Sequence, residues 1–410
     1  MDAARAAKAN ATDLVQPHAA LETVGPAGRY APKSSTASAT VLPAVPKGLD
    51  RQAAASPYPD PSRTMTAEEC LKGLAGGAKF YIKSRFAVCS GASFNQKWFI
   101  NNRPSGESRI NFIAVGTIAK GSRTVNIRHH YLFEKTGRTG APGLILTPKV
   151  TLPQKWPASA QISQGGDFPA GYTWAELDAQ RDPGFSHNLT GKSGTGSGRD
   201  DALFAVFQPE LRLQVTGGWK MSGALKGAPF FLAPRWDKAK YLAGAGADGG
   251  AAFSYAVSMP FSTKAGAKER LAAQHIKDAY TKPKTTEPSN TKKDIPGRTA
   301  KEPLTRLYHD QKRRDDNRDE AIKVCKAKWG AGYSEGGKKQ CDEFPFSSTY
   351  EGAAQALKKY DPQAKAPKEN FSARPIPKDD NEAGGRIMSS FYSKNRIIDG
   401  PDDGFLIKVS

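Results

Sequence analysis

The strongest constraint in this sequence is a period of two. In the run TVNIRHHYLFEK, Val125, Ile127, His129, Tyr131 and Phe133 fall on one face, and Arg128, His130 and Leu132 on the other. Successive side chains of an extended chain point to opposite sides, so this spacing predicts a half-buried strand. RINFIAVGTIA, GLILTPKVTL, DALFAVFQPELRLQV and AAFSYAVSMPF have similar length and spacing, and glycine-rich turns separate them. Many short strands at such intervals predict an all-β sandwich or barrel over residues 66–262. The chain around this domain has other textures. Residues 1–65 are rich in Ala, Pro, Ser and Thr and show no periodicity, so they read as a disordered leader or wall-spanning linker. Residues 263–302 read as a short helix, AGAKERLAAQHIKDAY, followed by a basic linker rich in Pro, Thr and Lys. Residues 303–410 mix a helix from Leu304 to about Trp329, a strand, loops, a second helix and a closing strand, which is an α+β texture. The expected molecule is therefore multidomain, with a disordered N-terminal segment, a β-rich body and a small α+β domain.

Charge narrows the partners. Lys and Arg number 60 against 40 Asp and Glu, a formal net charge of +20. Such an excess favours an acidic partner: nucleic acid, an anionic cell-wall polymer or a lipid surface. Residues 303–410 carry 20 basic and 17 acidic side chains, so most of the excess lies upstream of them. No run approaches eighteen apolar residues, which argues against a membrane-spanning helix. The opening Met1-Asp2-Ala3-Ala4-Arg5 carries no apolar leader stretch, so the protein either is not exported by that route or begins after a removed leader.

The four cysteines fall as two local pairs, Cys70 with Cys89 and Cys325 with Cys341, and no CxxC occurs. Two local disulfides and four reduced thiols both fit this spacing. HNLTGKS ends like a phosphate-binding loop, but Ser186 stands where the first glycine is required and no helix pattern follows. GTGSGR at 194–199 is likewise a turn. His129 and His130 are neighbours on a strand and cannot chelate one ion together. His18, His187, His275 and His309 are scattered, and no Ser/His/Asp grouping suggests itself.

Carboxylates carry the remaining signal. KKQCDEFPFSSTYEG sets Asp342 and Glu343 at a strand end, where Pro345 bars further pairing. In KDDNEAGGRIMSSFYSKNRIIDG, Asp379 or Asp380 is placed to cap a helix whose Ala383, Ile387, Met388 and Phe391 face a core. Gly384 and Gly385 are costly inside a helix, and close approach of a partner is a use for them. Carboxylates with an amide carbonyl are hard oxygen ligands, suited to Mg²⁺, Mn²⁺ or Ca²⁺. An ordinary acidic turn and N-cap fit the same residues.

CDEFPFSSTYEGA followed by DDNEAGGRIMSSFY and NRIIDGPDDGFLIKV resembles the bacterial NucA/NucB deoxyribonuclease family, over about residues 303–410. NRDEAIKVC, Asn317 to Cys325, resembles a helix upstream of that signature in longer members. Phe344 stands where Tyr is frequent, and Ser347 where Ala is. The resemblance implies a compact endonuclease similar to the ββα-metal type, secreted or at the cell surface, using Mg²⁺ or Mn²⁺ on DNA. It implies Asp342 as general base and Asn381 as metal ligand. Glu343, Glu351, Asp380 and Glu382 are further candidates for support or ligation. It also favours the disulfide reading, in which Cys325–Cys341 braces the Asp342 strand to the preceding helix. A basic adhesion or wall-binding protein with a degenerate nuclease domain, and an antibacterial nuclease toxin, are the alternatives.

Overall fold

A computed structural model of the chain describes residues 58–75, 80–135, 144–167, 171–173, 175–176, 179–180, 184–215, 219–221, 226–227, 231–242 and 248–410. The segment read as a disordered leader therefore lies almost wholly outside the described residues. The described chain packs as two units, Pro61–Ser254 and Tyr255–Ser410, with Tyr58 and Asp60 belonging to the second.

The first unit opens on helix α1 (Ala67–Leu74), which Thr66 and Glu69 start by capping each other's backbone N–H. Cys70 on this helix is joined to Cys89. The strands that follow are β1 (Phe80–Ser84), β2 (Ala87–Ile100), β3 (Arg103–Ile118), β4 (Thr124–Lys135), β5 (Leu144–Trp156), β6 (Ile162–Gly166) and β7 (Tyr172–Thr173). After them come β8 (Gly184–Gly191), β9 (Leu203–Val215), β10 (Trp219–Met221), β11 (Lys226–Gly227), β12 (Pro234–Asp237) and β13 (Gly250–Phe253). They form two antiparallel sheets. One has the order β1-β2-β3-β4-β8-β6 with β10 beside β2, the other β13-β12-β9-β5-β7 with β11 beside β9. Val125, Ile127, His129 and Tyr131 are all buried, as their alternation predicts, while the side chain of Phe133 lies outside the described set. His129 and His187 of the first sheet meet Phe207 of the second, with ring centroids 6.4 and 5.6 Å apart. HNLTG belongs to β8 and runs into turns, so it forms no phosphate loop.

The second unit starts with β14 (Val257–Phe261), which alternates inward and outward and runs parallel to the last strand, β18 (Gly404–Val409). The two-residue β15 (Leu304–Thr305) closes this sheet on the other edge of β18. Between them lie helix α2 (Arg270–Thr281), helix α3 (Gln311–Trp329), the paired strands β16 (Lys339–Phe344) and β17 (Ser372–Pro377), and helix α4 (Lys378–Lys394). Met259, Phe261, Ile276, Ile387, Phe391 and Phe405 share one core. A smaller cluster of Ala321, Cys325, Cys341, Phe371 and Ala373 packs α3 on the hairpin, with Cys325–Cys341 bridged inside it.

Three expectations are corrected here. Residues 255–302 are neither the tail of the β-rich body nor a linker. The Lys- and Pro-rich stretch is pinned into the second unit: Ile295 is buried, Asp294 N donates to Asn370 Oδ1 at 2.7 Å, and Ala373 N donates to Glu287 O at 2.7 Å. Pro, Thr and Lys stop a chain from making helix or ladder. They do not stop it from packing as an irregular segment whose backbone groups find partners. Gly297, at φ 102°, has Tyr280 and Leu304 where a Cβ would stand. Helix α3 starts at Gln311 rather than Leu304, because Asp310 caps it by accepting from Arg313 N and Leu304 is taken by the sheet. Helix α4 has no side-chain cap; Asp380 instead accepts from Leu271 N of α2 at 2.8 Å. Gly384 faces Ala272 of α2 and Phe261, where an added Cβ would sit 3.4 Å from each, an ordinary contact.

Candidate active site

The pleat of β16 decides which side chains meet. Gln340, Asp342 and Phe344 point to the side covered by α2 and α4, and Cys341 and Glu343 to the side covered by α3. The contacts follow this division. Asp342 Oδ2 is 2.6 Å from His275 Nδ1 of α2, and the Phe344 ring meets Tyr280 of α2 with centroids 5.0 Å apart. Asn381 of α4 donates from Nδ2 to Gln340 Oε1 at 2.7 Å. On the other side, Cys341 is bonded to Cys325 and Glu343 lies 3.2 Å from Arg318, both of α3.

Strand β17 completes the first face. Its register sets Arg374 opposite Asp342 and Ser372 opposite Phe344. Ser372 Oγ is 2.7 Å from His275 Nε2, so one imidazole joins Asp342 to Ser372 diagonally across the two strands. Arg374 is paired with Asp278 of α2 at 3.0 Å. His275 is wholly buried, whereas the Asp342 side chain keeps 11% of its surface. Solvent therefore reaches this group at Asp342. Among the described residues, Asp342 Oδ1 accepts no hydrogen bond, which leaves it available to an incoming donor.

The other expected site residues are dispersed. Glu343 points away from Asp342, and burial pushes its carboxyl up to about 7 against the pull of Arg318. Glu351 accepts from Thr305 N at 2.9 Å and Thr305 Oγ1 at 2.6 Å, anchoring β15, and burial raises it also to about 7. Neither joins Asp342, because adjacent strand positions face opposite ways and Glu351 is committed to another strand. Asp380 and Asn381 lie in the first turn of α4, and Glu382 follows directly. Asp380 is occupied by α2, and Glu382 is exposed with Lys378 and Arg386 each at 3.7 Å. His275 and Ser372 join Asp342 in a Ser/His/Asp grouping that the sequence did not suggest. The one signal for His275 was a polar residue falling in the apolar stripe Ala272, Ala273, Ile276 and Ala279.

Residues 292–407 match the family model of the deoxyribonuclease NucA/NucB. No curated protein matches the chain. The NucA/NucB match takes in Asp342, Ser372, Arg374 and the start of α4, and it supports a nuclease in this part of the chain. It begins after α2, so His275 stands outside it. The two disulfides are consistent with an extracellular protein. Among the described residues no helix is long and apolar enough to cross a membrane.

The buried ionisable groups give the two units opposite responses to acid. Burial holds His129 well below its ordinary value of 6.5, and His187 at about 4. In the unfolded chain these rings take up protons as pH falls below 6.5, while the folded unit excludes them. Each histidine then removes about 1.4 kcal/mol of stability per pH unit. Glu343 and Glu351 behave inversely. Their folded values near 7 exceed the unfolded 4.5, so their contribution is full below pH 4.5 and is lost as pH rises through 7. Calorimetry between pH 6.5 and 4.5 is expected to show the transition of the β-rich unit moving down and that of the second unit moving up.

Proposed function

We propose that this chain is a metal-dependent deoxyribonuclease that cuts DNA internally with little sequence preference. The observation that carries the reading is Asp342, a nearly buried carboxylate with one oxygen bound and the other open, inside the NucA/NucB match. Asp342 is the general base: Oδ1 takes the proton of the water that attacks phosphorus. The order β16, β17, α4 supports kinship with the ββα-metal type, with Asp342 on a strand and the ligands at the start of the helix.

The donor set suits a hard cation. Asn381 spends Nδ2 on Gln340 and so turns its carbonyl oxygen outward from that bond, and Glu382 adds an exposed carboxylate one residue on. No group of three His, Cys, Asp or Glu residues able to hold a metal ion occurs among the described residues. That sparseness fits Mg²⁺ or Mn²⁺, which are commonly held by one or two protein oxygens with water and phosphate completing the shell. When bound, the ion would neutralise charge developing on the phosphate and the leaving oxygen. Asp380 holds α2 against the ligand-bearing turn. Glu343 and Glu351 support the hairpin and β15.

The basic first unit is read as a body that concentrates DNA near the nuclease unit, through counterion release that weakens as salt rises. Incubation of the protein with supercoiled plasmid and Mg²⁺ or Mn²⁺ is expected to give nicked and then linear DNA. EDTA abolishes this, added cation restores it, and RNA in parallel tests the preference for DNA. Undiminished cleavage in EDTA would remove the metal from the reading.

A further inference from the structure

We infer that His275, upstream of the family-matched segment, is the positioning residue that holds Asp342 ready to take a proton. The inference rests on the nuclease reading and refines its site. The imidazole is gripped at both nitrogens, 2.6 Å from Asp342 Oδ2 and 2.7 Å from Ser372 Oγ. Because Asp342 and Ser372 sit diagonally across β16 and β17, a ring fixed between them can neither rotate nor slide. With Nδ1–H donating to the carboxylate, Nε2 accepts from the Ser372 hydroxyl, and no ring atom is left for substrate. Its role is therefore to commit Oδ2 and leave Oδ1 as the basic atom.

Helix α2 is itself fastened for this task. Leu271 N donates to Asp380 at 2.8 Å, Asp278 pairs with Arg374 at 3.0 Å, and Tyr280 stacks edge-on against Phe344 at 5.0 Å. Three attachments, one on the first turn and two on the last, tie the helix to β16, β17 and α4, the elements carrying Asp342, Ser372 and Asn381. Ser372 is completely buried and so is no nucleophile; it is the second anchor of the ring.

Two polar substitutions in the full chain separate the two ring bonds. His275→Asn leaves an amide nitrogen near the Nδ1 position and keeps the bond to Asp342. His275→Gln reaches the Nε2 position and keeps only Ser372. We expect kcat for His275→Gln to fall about 100-fold below that of His275→Asn at unchanged KM, the scale of loss for a misoriented reacting group. Equal kcat in the two variants overturns the inference, since a merely structural histidine would suffer alike from both. A second readout needs no change at His275: the Nδ1 proton should give a far-downfield ¹H resonance that moves in Asp342→Asn. A resonance that does not move overturns the inference as well. Failure of the unaltered protein to cleave DNA with Mg²⁺ or Mn²⁺ would instead sink the nuclease reading itself, so the two failures are distinguishable.

Discussion

Asp342→Asn is expected to lower plasmid cleavage by roughly 10³-fold while the protein melts as the parent does. The range for removal of a positioned general base is about 10² to 10⁴. Asparagine has the size and shape of aspartate, and its carbonyl oxygen can still accept from His275 Nδ1, the 2.6 Å bond that orients the group. Its amide nitrogen then takes the place of Oδ1 and carries hydrogens already, so it cannot accept a proton from water. Burial of Asp342 beside Arg374 makes a larger replacement ambiguous, because lost packing and lost basicity would be confounded. Single-turnover cleavage with Mn²⁺, run beside a thermal melt, checks the outcome. Activity within tenfold of the parent would exclude Asp342 as the base.

A fragment starting at residue 292, where the family match begins, is expected not to fold, whereas one starting at residue 255 should fold and cut DNA. The shorter fragment lacks β14, the parallel partner of β18, and lacks α2. Met259, Phe261, Ala273, Ile276 and Ala279 would vanish from the core shared with Ile387, Phe391 and Phe405. Each large apolar side chain so removed is worth about 1.5–3 kcal/mol of burial. Three of them alone rival the whole net stability of a small domain, about 5–15 kcal/mol. The longer fragment keeps β14 and α2 and, within its own unit, gives up the edge contact of Tyr58 with Phe391 and the bonds of Lys394 to Tyr58 O and Asp60. Circular dichroism and urea unfolding of the two fragments decide the matter; a cooperative transition in the 292–410 fragment would refute the assignment of α2 and β14 to this unit.

Strand patterning was legible because one local rule governs it. Val125, Ile127, His129 and Tyr131 alternate in the sequence and are buried in the structure. Both cysteine pairs were legible as alternatives, and the structure bridges each local pair. The stretch from Thr281 to Ala300 was misread because Pro, Thr and Lys report what a backbone cannot form, not whether it packs. Asp342 and Glu343 looked like a pair, but the pleat sends one toward α2 and the other toward α3. That separation depends on both faces of the hairpin being covered, which no local pattern announces.

By itself, then, the sequence determined the β-rich character of the first unit, the excess positive charge upstream, and the Asp342 and Asn381 motif. Each is set by residue type or by spacing along a single element. Only the tertiary structure decided that α2 and β14 belong with the second unit, that His275 bridges Asp342 and Ser372, and that Glu343 and Glu351 stand apart. The physical reason is sequence distance. His275 and Asp342 lie 67 residues apart, and His275 and Ser372 97. Their meeting depends on how a helix and a hairpin pack, through contacts spread over the whole unit rather than over any one stretch of chain.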